Sequence, residues 1–421
     1  MKIIIHRGNE EIGASCIEVQ TAQTRVIFDV GLELEGEPAR LPQNIGRIAA
    51  LFITHAHPDH YGLVSKVPPG IPAYCGALTE DIMRIMGTFN HRFGKVNRSF
   101  EHFTNGAPVQ IGDIRITPYA TDHSVPDSYA FHVEADGKKI LISGDFRAHG
   151  RKACLMEICA RAVHAPDALV VDGTCVVERA PEPQEPQTII YNNEEEVENG
   201  IFQVLKKAQL PAFMDASSIN VDRMVSAFKA AKRAGRTFAV DIYSALILWI
   251  MNKRYGYEIP INEWEGFRVI FHRDLTRHQE RILRANQERL GLGEFIKTLS
   301  GDGAIQPETI AENPSQYLIK FNRREELIKE LGIGQYSYIY SMWSGYMSPE
   351  YDKQGRFQTL KNSPNVRFHF IHTSGHATWD ELCRFINKVA PRQLIPFHTN
   401  YPQGFKEKYP DAIVGVREIE V

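Results

Sequence analysis

Three histidines and one aspartate lie within the short segment Thr54-His-Ala-His-Pro-Asp-His60. The segment follows an apolar run at 50–54 that predicts a β-strand. A tight loop at the end of a strand can direct several side chains into one cavity, and imidazole and carboxylate groups suit zinc or a similar transition ion. The alternative is an exposed polar loop, but four such ligands at this spacing seldom coincide. The segment therefore predicts part of a metal site.

The remaining ligands have to come from distant parts of the chain, because one loop cannot complete a metal site. His123 lies in the polar segment Asp122-His-Ser124, Asp145 ends a predicted strand, and His398 directly follows another predicted strand. Taken alone, each of these residues is more often a structural polar group. Together with the histidine-rich segment, each becomes a candidate ligand.

The elements that would position these residues fall into two compositional regions. Residues 192–351 alternate between helix and strand patterns, which indicates a smaller open α/β unit. An acidic, proline-rich segment at 178–187 precedes it and predicts a linker. Strands rich in β-branched and large apolar residues are predicted on both sides, at 25–31, 50–54, 139–145, 168–172, 366–372 and 393–397.

The ordered series H-x-H-x-D-H, a later histidine, a Gly-Asp after a strand and a late histidine resembles the metallo-beta-lactamase hydrolases. The resemblance implies an αββα sandwich, in which two sheets lie face to face with helices outside. It also implies two divalent metal ions. Zinc is expected, and ligand type leaves manganese open. The implied ligands are His55, His57 and His123 for one ion, Asp59, His60 and His398 for the other, and Asp145 as a bridge.

Further motifs resemble the beta-CASP branch of this family, which carries an inserted α/β domain. They are Asp172-Gly-Thr174 before the insertion, His372-Thr-Ser-Gly-His-Ala377 after it, and His398 at the end of a strand. The resemblance to ribonuclease J and to archaeal cleavage-factor-like nucleases is the nearest. It predicts the α/β fold class, with a metallo-beta-lactamase domain formed by residues 1–180 and 356–421 and a beta-CASP domain at 181–355.

Beta-CASP proteins act on nucleic acids, and a histidine at the last ligand position is typical of the members that cut RNA. The resemblance therefore implies an enzyme that hydrolyses phosphodiester bonds of single-stranded RNA with a hydroxide activated by two metal ions. Asp59, His376 and Asp172 are the candidate catalytic residues. Asp172 would keep His376 protonated and oriented. The candidate RNA contacts are Ser374, Arg223, Lys229 and Lys232.

Composition bounds the remaining expectations. The chain has 421 residues, a net charge of −3 and 43% hydrophobic residues, which is ordinary for a globular protein. We find no signal peptide and no apolar run long enough for a membrane span, so a cytoplasmic protein without a membrane partner is expected. The small net charge does not exclude RNA, because a local basic face is sufficient.

Several alternatives stay open. A small-molecule ester or amide hydrolase would share the metal ligands, but it has no need of the insertion or of His376. A DNA nuclease is disfavoured by His398, and a catalytically silent RNA-binding scaffold by the complete set of ligands. The choice between cutting at an end and cutting internally also stays open, as does assembly into a homo-oligomer.

Overall fold

The structure is a computed structural model. It describes residues 1–421 except 35–37, 91, 92, 94, 178–190, 208, 272–275, 300 and 302. The chain forms two compact units, of which unit 1 contains Met1–Gln184 and Ser374–Val421 and unit 2 contains Glu185–Thr373. The whole segment predicted as a linker, 178–187, lies outside the described residues.

The first sheet of unit 1 is mixed. Its strand order is β20-β1-β2-β3-β4-β5-β6, with antiparallel pairing from β20 to β3 and parallel pairing from β3 to β6. The described strands of this sheet are β1 (Lys2–Arg7), β2 (Cys16–Gln20), β3 (Arg25–Phe28), β4 (Ala50–Phe52), β5 (Ala73–Cys75), β6 (Glu101–His102) and β20 (Glu418–Glu420).

The second sheet of unit 1 has the order β19-β11-β10-β9-β8-β7. Strands β10, β11 and β19 are parallel, so their carboxyl ends lie along one edge, which is where α/β sheets tend to build ligand sites. The described strands of this sheet are β7 (Val109–Ile111), β8 (Ile114–Ala120), β9 (Tyr129–Ala135), β10 (Lys138–Ile142), β11 (Ala168–Asp172) and β19 (Gln393–Phe397).

Alternating side chains of the second sheet build two separate cores. Ile140 and Ile142 belong to the core that contains Phe28 and Phe52 of the first sheet. Leu141, which lies between them, belongs to the core beneath the outer helices. This alternation follows from the two-residue period of a strand. The helices of unit 1 are α1 (Pro58–Tyr61), α2 (Ala77–Phe89), α3 (Cys154–Ala162) and α13 (Trp379–Val389).

Helices α3 and α13 complete the outer core of the second sheet. Met156 and Cys159 of α3 and Leu382 and Phe385 of α13 are buried in the same cluster as Leu141. The buried residues of α13 recur three or four positions apart, as expected for a helix with one apolar face. Two sheets with a helical layer on the outer face of the second sheet agree with the predicted sandwich.

Unit 2 contains one parallel sheet with the strand order β15-β14-β13-β16-β12-β17-β18. The described strands of unit 2 are β12 (Ala212–Asp215), β13 (Thr237–Val240), β14 (Phe267–Ile270), β15 (Ala304–Ile305), β16 (Tyr317–Lys320), β17 (Tyr336–Tyr340) and β18 (Val366–Phe370). The described helices are α4 (Glu194–Lys207), α5 (Val221–Arg233), α6 (Ile242–Tyr255), α7 (Arg277–Ala285), α8 (Gln287–Leu290), α9 (Gly293–Thr298), α10 (Pro307–Glu312), α11 (Arg324–Glu330) and α12 (Arg356–Asn362).

The return to unit 1 lies later in the chain than the predicted boundary at 356. Strand β18 pairs with β17 along its whole length, from Tyr336 opposite Val366 to Tyr340 opposite Phe370. These backbone hydrogen bonds place β18 in unit 2, and unit 1 resumes at Ser374. Among the described helices, none combines the length and the apolar composition that crossing a bilayer requires.

Candidate metal centre

The histidine-rich segment folds into a turn followed by the short helix α1. Pro58 occupies the first helical position, where its missing N–H costs nothing. The backbone N–H groups of Ser15 and Val30 donate to the carbonyls of Asp59 and His60, at 3.0 and 2.8 Å. Gly31 is required at this contact, because a Cβ there would overlap the backbone of Asp59. The helix is thus held against the loop that precedes β2 and the loop that follows β3.

The candidate ligands converge in unit 1. The structure brings together all seven residues for which a metal role is predicted, and it adds Asp172 and His376 to the same cluster. The donor atoms lie within 4.8 Å of one another in three overlapping groups, namely His55, His57, His123 and Asp145; Asp145, Asp172, His376 and His398; and Asp59, His60 and His398.

Asp145 lies at the centre of this cluster. Its Oδ2 is 3.1 Å from His60 Nε2 and 3.7 Å from His55 Nε2, and its Oδ1 is 3.8 Å from His398 Nδ1. The Oδ1 atom is buried and has no hydrogen-bond partner among the described residues. A buried carboxylate oxygen without a partner is costly. A divalent cation would satisfy it, so the position fits a bridging ligand.

The imidazole rings are oriented from behind by hydrogen bonds. In four of the five rings Nδ1 donates outward, so Nε2 is directed into the cluster. Thr54 and Thr174 accept through their hydroxyl oxygens, because each hydroxyl already donates to an aspartate. The outward bonds are His60 to Asp29 at 2.7 Å, His123 to the Gly375 carbonyl at 2.7 Å, His55 to Thr54 at 2.9 Å and His398 to Thr174 at 2.7 Å.

Three of the rings meet at close range. His57 Nδ1 is 3.0 Å from His55 Nε2 and 3.1 Å from His123 Nε2. Burial lowers the pKa of His57 to about 4, and burial together with neighbouring histidines lowers the pKa of His55 and His123 well below the usual value. These rings are therefore neutral near pH 7. Neutral imidazole is the form that binds metal ions.

The other side of the cluster is strongly negative. Burial works against a charge on His398, yet Asp145, Asp172 and Asp59 raise its pKa to about 10. Against the same effect of burial, His60 and His398 lower the pKa of Asp59 below its usual range. A field that favours positive charge to this extent would also attract a divalent cation. Nitrogen and carboxylate donors together fit zinc or a similar ion.

Asp29 is a functional residue that the sequence analysis missed. It is buried directly after β3. It accepts from His60 Nδ1 at 2.7 Å and from both the backbone N–H and the hydroxyl of Thr54, at 2.8 Å each. Its φ of 63° lies in the left-handed region. Burial raises the pKa of Asp29, although His60 opposes this. A lone aspartate gives little signal, but its position after β3, beside β4, could have suggested a site residue.

His376 and Asp172 form a pair at the edge of the metal cluster. His376 Nδ1 donates to Asp172 Oδ2 at 2.9 Å, while Asp172 Oδ1 accepts from the N–H and the hydroxyl of Thr174 at 2.9 and 2.7 Å. The His376 side chain is 20% exposed, whereas the candidate ligands other than half-buried His57 are buried. Although burial disfavours its charge, Asp172 raises the pKa of His376 above the usual value. The ring can therefore be reached by a substrate and is biased towards the protonated form.

The turn at Ser374-Gly375-His376 is fixed by several donors. His149 Nε2 donates to the Ser374 carbonyl at 3.0 Å while its Nδ1 lies 2.8 Å from a Glu381 carboxylate oxygen, and Arg147 also donates to that carbonyl at 3.4 Å. Ser374 Oγ accepts from the His376 N–H at 3.0 Å. Sequence reasoning missed His149 and Arg147, because a polar residue four positions beyond a ligand candidate carries no distinctive pattern.

The three basic residues predicted to contact RNA lie in unit 2, on α5. Lys229 and Lys232 are exposed. Arg223 is not, and the expectation that it faces RNA is therefore wrong. Its guanidinium is 0% exposed and binds Glu194 at 3.0 Å. It also donates to the carbonyls of Ser341 and Thr373, at 2.9 and 3.1 Å.

Two family models match the chain. Residues 24–240 match a beta-lactamase superfamily domain, and residues 364–408 match a Zn-dependent metallo-hydrolase RNA specificity domain. Ribonuclease J of Mycoplasma pneumoniae is 23% identical over 420 residues, which cover 95% of this chain and 68% of that protein. Ribonuclease J of Thermus thermophilus is 22% identical over 429 residues, which cover 94% of this chain and 68% of that protein.

A solved structure has the same fold. A protein of unknown function from Enterococcus faecalis V583 aligns over 100% of this chain and 99% of its own, with a TM-score of 0.78 and 19% identity. The predicted metallo-beta-lactamase fold and the ribonuclease J-like organisation are thereby confirmed. This chain belongs to the beta-lactamase superfamily.

Proposed function

We propose that this protein is a metal-dependent ribonuclease that hydrolyses phosphodiester bonds of single-stranded RNA. The observation that carries the proposal is the position of the His376–Asp172 pair, with His376 Nδ1 3.9 Å from Asp145 at the centre of the ligand cluster. Two ribonuclease J relatives span almost the whole chain, and the RNA specificity model includes both His376 and His398. These likenesses support RNA as the substrate.

The ligand cluster would hold two divalent cations, for which zinc is the expected element. His55, His57 and His123 would hold one ion, and Asp59, His60 and His398 the other. Asp145 would be shared, as its unpartnered Oδ1 suggests. When bound, such ions lower the pKa of water and neutralise the charge of a phosphate.

His376 is the proposed general acid. A phosphodiester breaks more easily when its leaving oxygen receives a proton, and an imidazole at hydrogen-bond range can supply it. Asp172 accepts the hydrogen bond from His376 Nδ1, so Nε2 is the atom that would face the leaving oxygen. Asp172 also favours the protonated ring. It therefore acts through His376, as a positioning residue.

Asp59 is proposed to orient the attacking water as well as to bind metal. Its Oδ2 is 3.1 Å from His398 Nε2, and it is 9% exposed, the most of the buried ligands. His60 and His398 keep the carboxylate ionised. On the RNA side, Lys229 and Lys232 stay candidates for phosphate contacts, because both are exposed. Phosphate contacts of this kind make affinity fall steeply with salt.

The test uses single-stranded RNA and DNA of the same sequence, each labelled at the 5′ end, with metal-loaded protein. Asp59→Ala is the control that separates this activity from contaminating nucleases. We expect RNA to be cut and the Asp59 variant to be inactive. Labelled mononucleotide would indicate cutting from the 5′ end, and longer fragments would indicate internal cutting. If protein with two bound metal ions cuts neither polymer, the proposal fails and a small-molecule hydrolase becomes the better hypothesis.

A further inference from the structure

Three exposed aromatic side chains form a cluster in unit 2, in the segment that follows β17. Trp343, Tyr346 and Tyr351 are 52%, 42% and 37% exposed. Their ring centroids are 5.3, 5.5 and 5.7 Å apart, and each pair meets edge to face at 82–88°. The other exposed large apolar side chains among the described residues are spread along the chain. Isolated exposed rings need no explanation, whereas a contiguous group indicates a binding surface.

The cluster is built on buried structure. The hydroxyl of Tyr340, a side chain that is 1% exposed, donates to the Trp343 carbonyl at 3.1 Å. The Trp343 indole packs directly on Gly345, where a Cβ would overlap its six-membered ring. The Tyr346 N–H donates to the Trp343 carbonyl at 3.3 Å, and the Ser348 N–H donates to the Gly345 carbonyl at 2.9 Å. The rings are therefore presented from a defined turn.

Positive charge lies beside the rings. Arg356 is exposed, and its guanidinium lies over the Phe357 ring at 4.7 Å from the centroid. Phe357 in turn packs against Tyr340 at 4.8 Å. Lys353 is exposed two residues after Tyr351. Of the two neighbouring acids, Asp352 accepts from the Phe357 N–H at 2.7 Å, and Glu350 is exposed.

These features are the two components that unpaired nucleic acid requires. Bases stack on aromatic rings, and cations contact the phosphates between them. The turn also follows the carboxyl end of β17 in a parallel sheet, where α/β domains commonly bind ligands. The exposed residues among 341–351 are these three aromatics with Ser344, Pro349 and Glu350, so the apolar part of the surface is mainly aromatic. Because each pair of rings meets edge to face, the rings face different directions, and each ring would stack a base on its own rather than as part of one flat surface.

We propose that Trp343, Tyr346 and Tyr351 form a stacking platform for the bases of single-stranded RNA, with Lys353 and Arg356 contacting its phosphates. The proposal rests on the proposed ribonuclease function and adds a substrate-binding site to it. Stacking on an aromatic ring is worth about 1–3 kcal/mol per base when the ring is truncated to alanine. That range corresponds to roughly 5- to 150-fold in affinity.

The experiment measures the affinity for labelled RNA by fluorescence anisotropy, in an Asp59→Ala background so that the RNA stays intact. Trp343→Ala is compared with Trp264→Ala. Trp264 is the matched control, since it is 37% exposed in unit 2 but packs against Phe228, outside the cluster. We expect Trp343→Ala to weaken binding of single-stranded RNA about tenfold. We expect Trp264→Ala to have no effect and Trp343→Phe to retain most of the affinity.

A second variant tests the geometry with all three rings present. Gly345→Ala should displace the indole and reproduce part of the loss seen in Trp343→Ala. Duplex RNA of the same length should bind Trp343→Ala and its parent equally, because its bases already stack on one another.

Each contrary result has a distinct meaning. Equal affinity of Trp343→Ala and Trp264→Ala for single-stranded RNA would overturn the platform proposal. If the unmodified protein still cleaves RNA, the proposed ribonuclease function stands despite that result. A change in sedimentation with unchanged RNA affinity would assign the cluster to self-association and would also overturn it. If the unmodified protein neither binds nor cuts RNA, the proposed function itself has failed.

Discussion

Replacing His376 with alanine separates the general acid from the metal ligands. The imidazole hydrogen-bonds Asp172 Oδ2, whereas Asp172 Oδ1 keeps its two bonds from Thr174. The carboxylate therefore stays in place when the ring is removed. General acid catalysis typically contributes about 100- to 10,000-fold in rate, or roughly 3 to 5 kcal/mol of barrier. We expect a loss of RNA cleavage in that range with unchanged metal content.

The assay needs two readouts from one preparation. Metal ions per chain are counted by mass spectrometry, and the rate is measured in single turnover, so that RNA binding does not limit it. His164→Ala is a suitable control, because His164 is an exposed histidine of unit 1 outside the cluster. Asp172→Asn should also reduce the rate, since an amide cannot favour a protonated His376 as a carboxylate does.

Two results would refute the acid role. His376 belongs to one of the three groups of converging donors, so loss of metal in His376→Ala would make it a ligand. A rate that stays within about threefold of the parent would show that another group protonates the leaving oxygen. The control variant is expected to keep both rate and metal content, and its failure would invalidate the comparison.

Further substitutions test residues that orient the site or stabilise the fold without contacting the substrate. Asp29→Ala should weaken metal binding about 10- to 100-fold, because His60 loses the carboxylate that orients it; titration with a chelator measures this. His149→Phe should slow cleavage and weaken metal binding together, because it releases the turn that carries His376 and bonds His123, and His149→Gln, which keeps a donor, should recover part of both. Arg223→Met should lower the free energy of unfolding in urea by about 3–5 kcal/mol, because it removes the guanidinium charge that pairs with the buried carboxylate of Glu194. Reduced RNA affinity at unchanged stability would contradict that account.

The positions of the metal ligands were predictable, because their types and order are unusual. His55, His57 and His60 lie on one turn after β4, and the carboxyl ends of neighbouring strands bring Asp145 and His398 to the same edge. Such placement follows from sheet topology once the strands are recognised. The resemblance supplied the arrangement of two facing sheets, which periodicity alone does not give.

The orienting residues were not predictable in the same way. Asp29 and His149 act through hydrogen bonds to side chains and carbonyls far away in sequence, such as His149 to Ser374. The residues that flank Asp29 and His149 in the sequence do not indicate which distant groups they bond. Arg223 shows the reverse error, since a basic residue on a helix is more often exposed than buried. Its burial depends on Glu194, which lies on a different helix.

The domain boundary was misplaced for a related reason. The strand pattern at 366–372 fits either unit, because both contain strands with buried apolar side chains. Strand pairing determines to which unit the strand belongs, and β18 pairs with β17 of unit 2. A strand pattern predicts the element, but the choice of neighbouring strand depends on packing that the local sequence does not encode.

The acid and the metal ligands share one hydrogen-bonded turn, and this links the two halves of the proposed chemistry. The Gly375 carbonyl accepts from His123 Nδ1, and the next residue is His376. The preceding carbonyl, that of Ser374, accepts from His149. A shift of the turn would therefore rotate a metal ligand and displace the acid together. The same coupling means that His123→Ala should impair His376 as well as metal binding, so the acid role is better judged from His376→Ala, which leaves His123 and its bond to the Gly375 carbonyl in place.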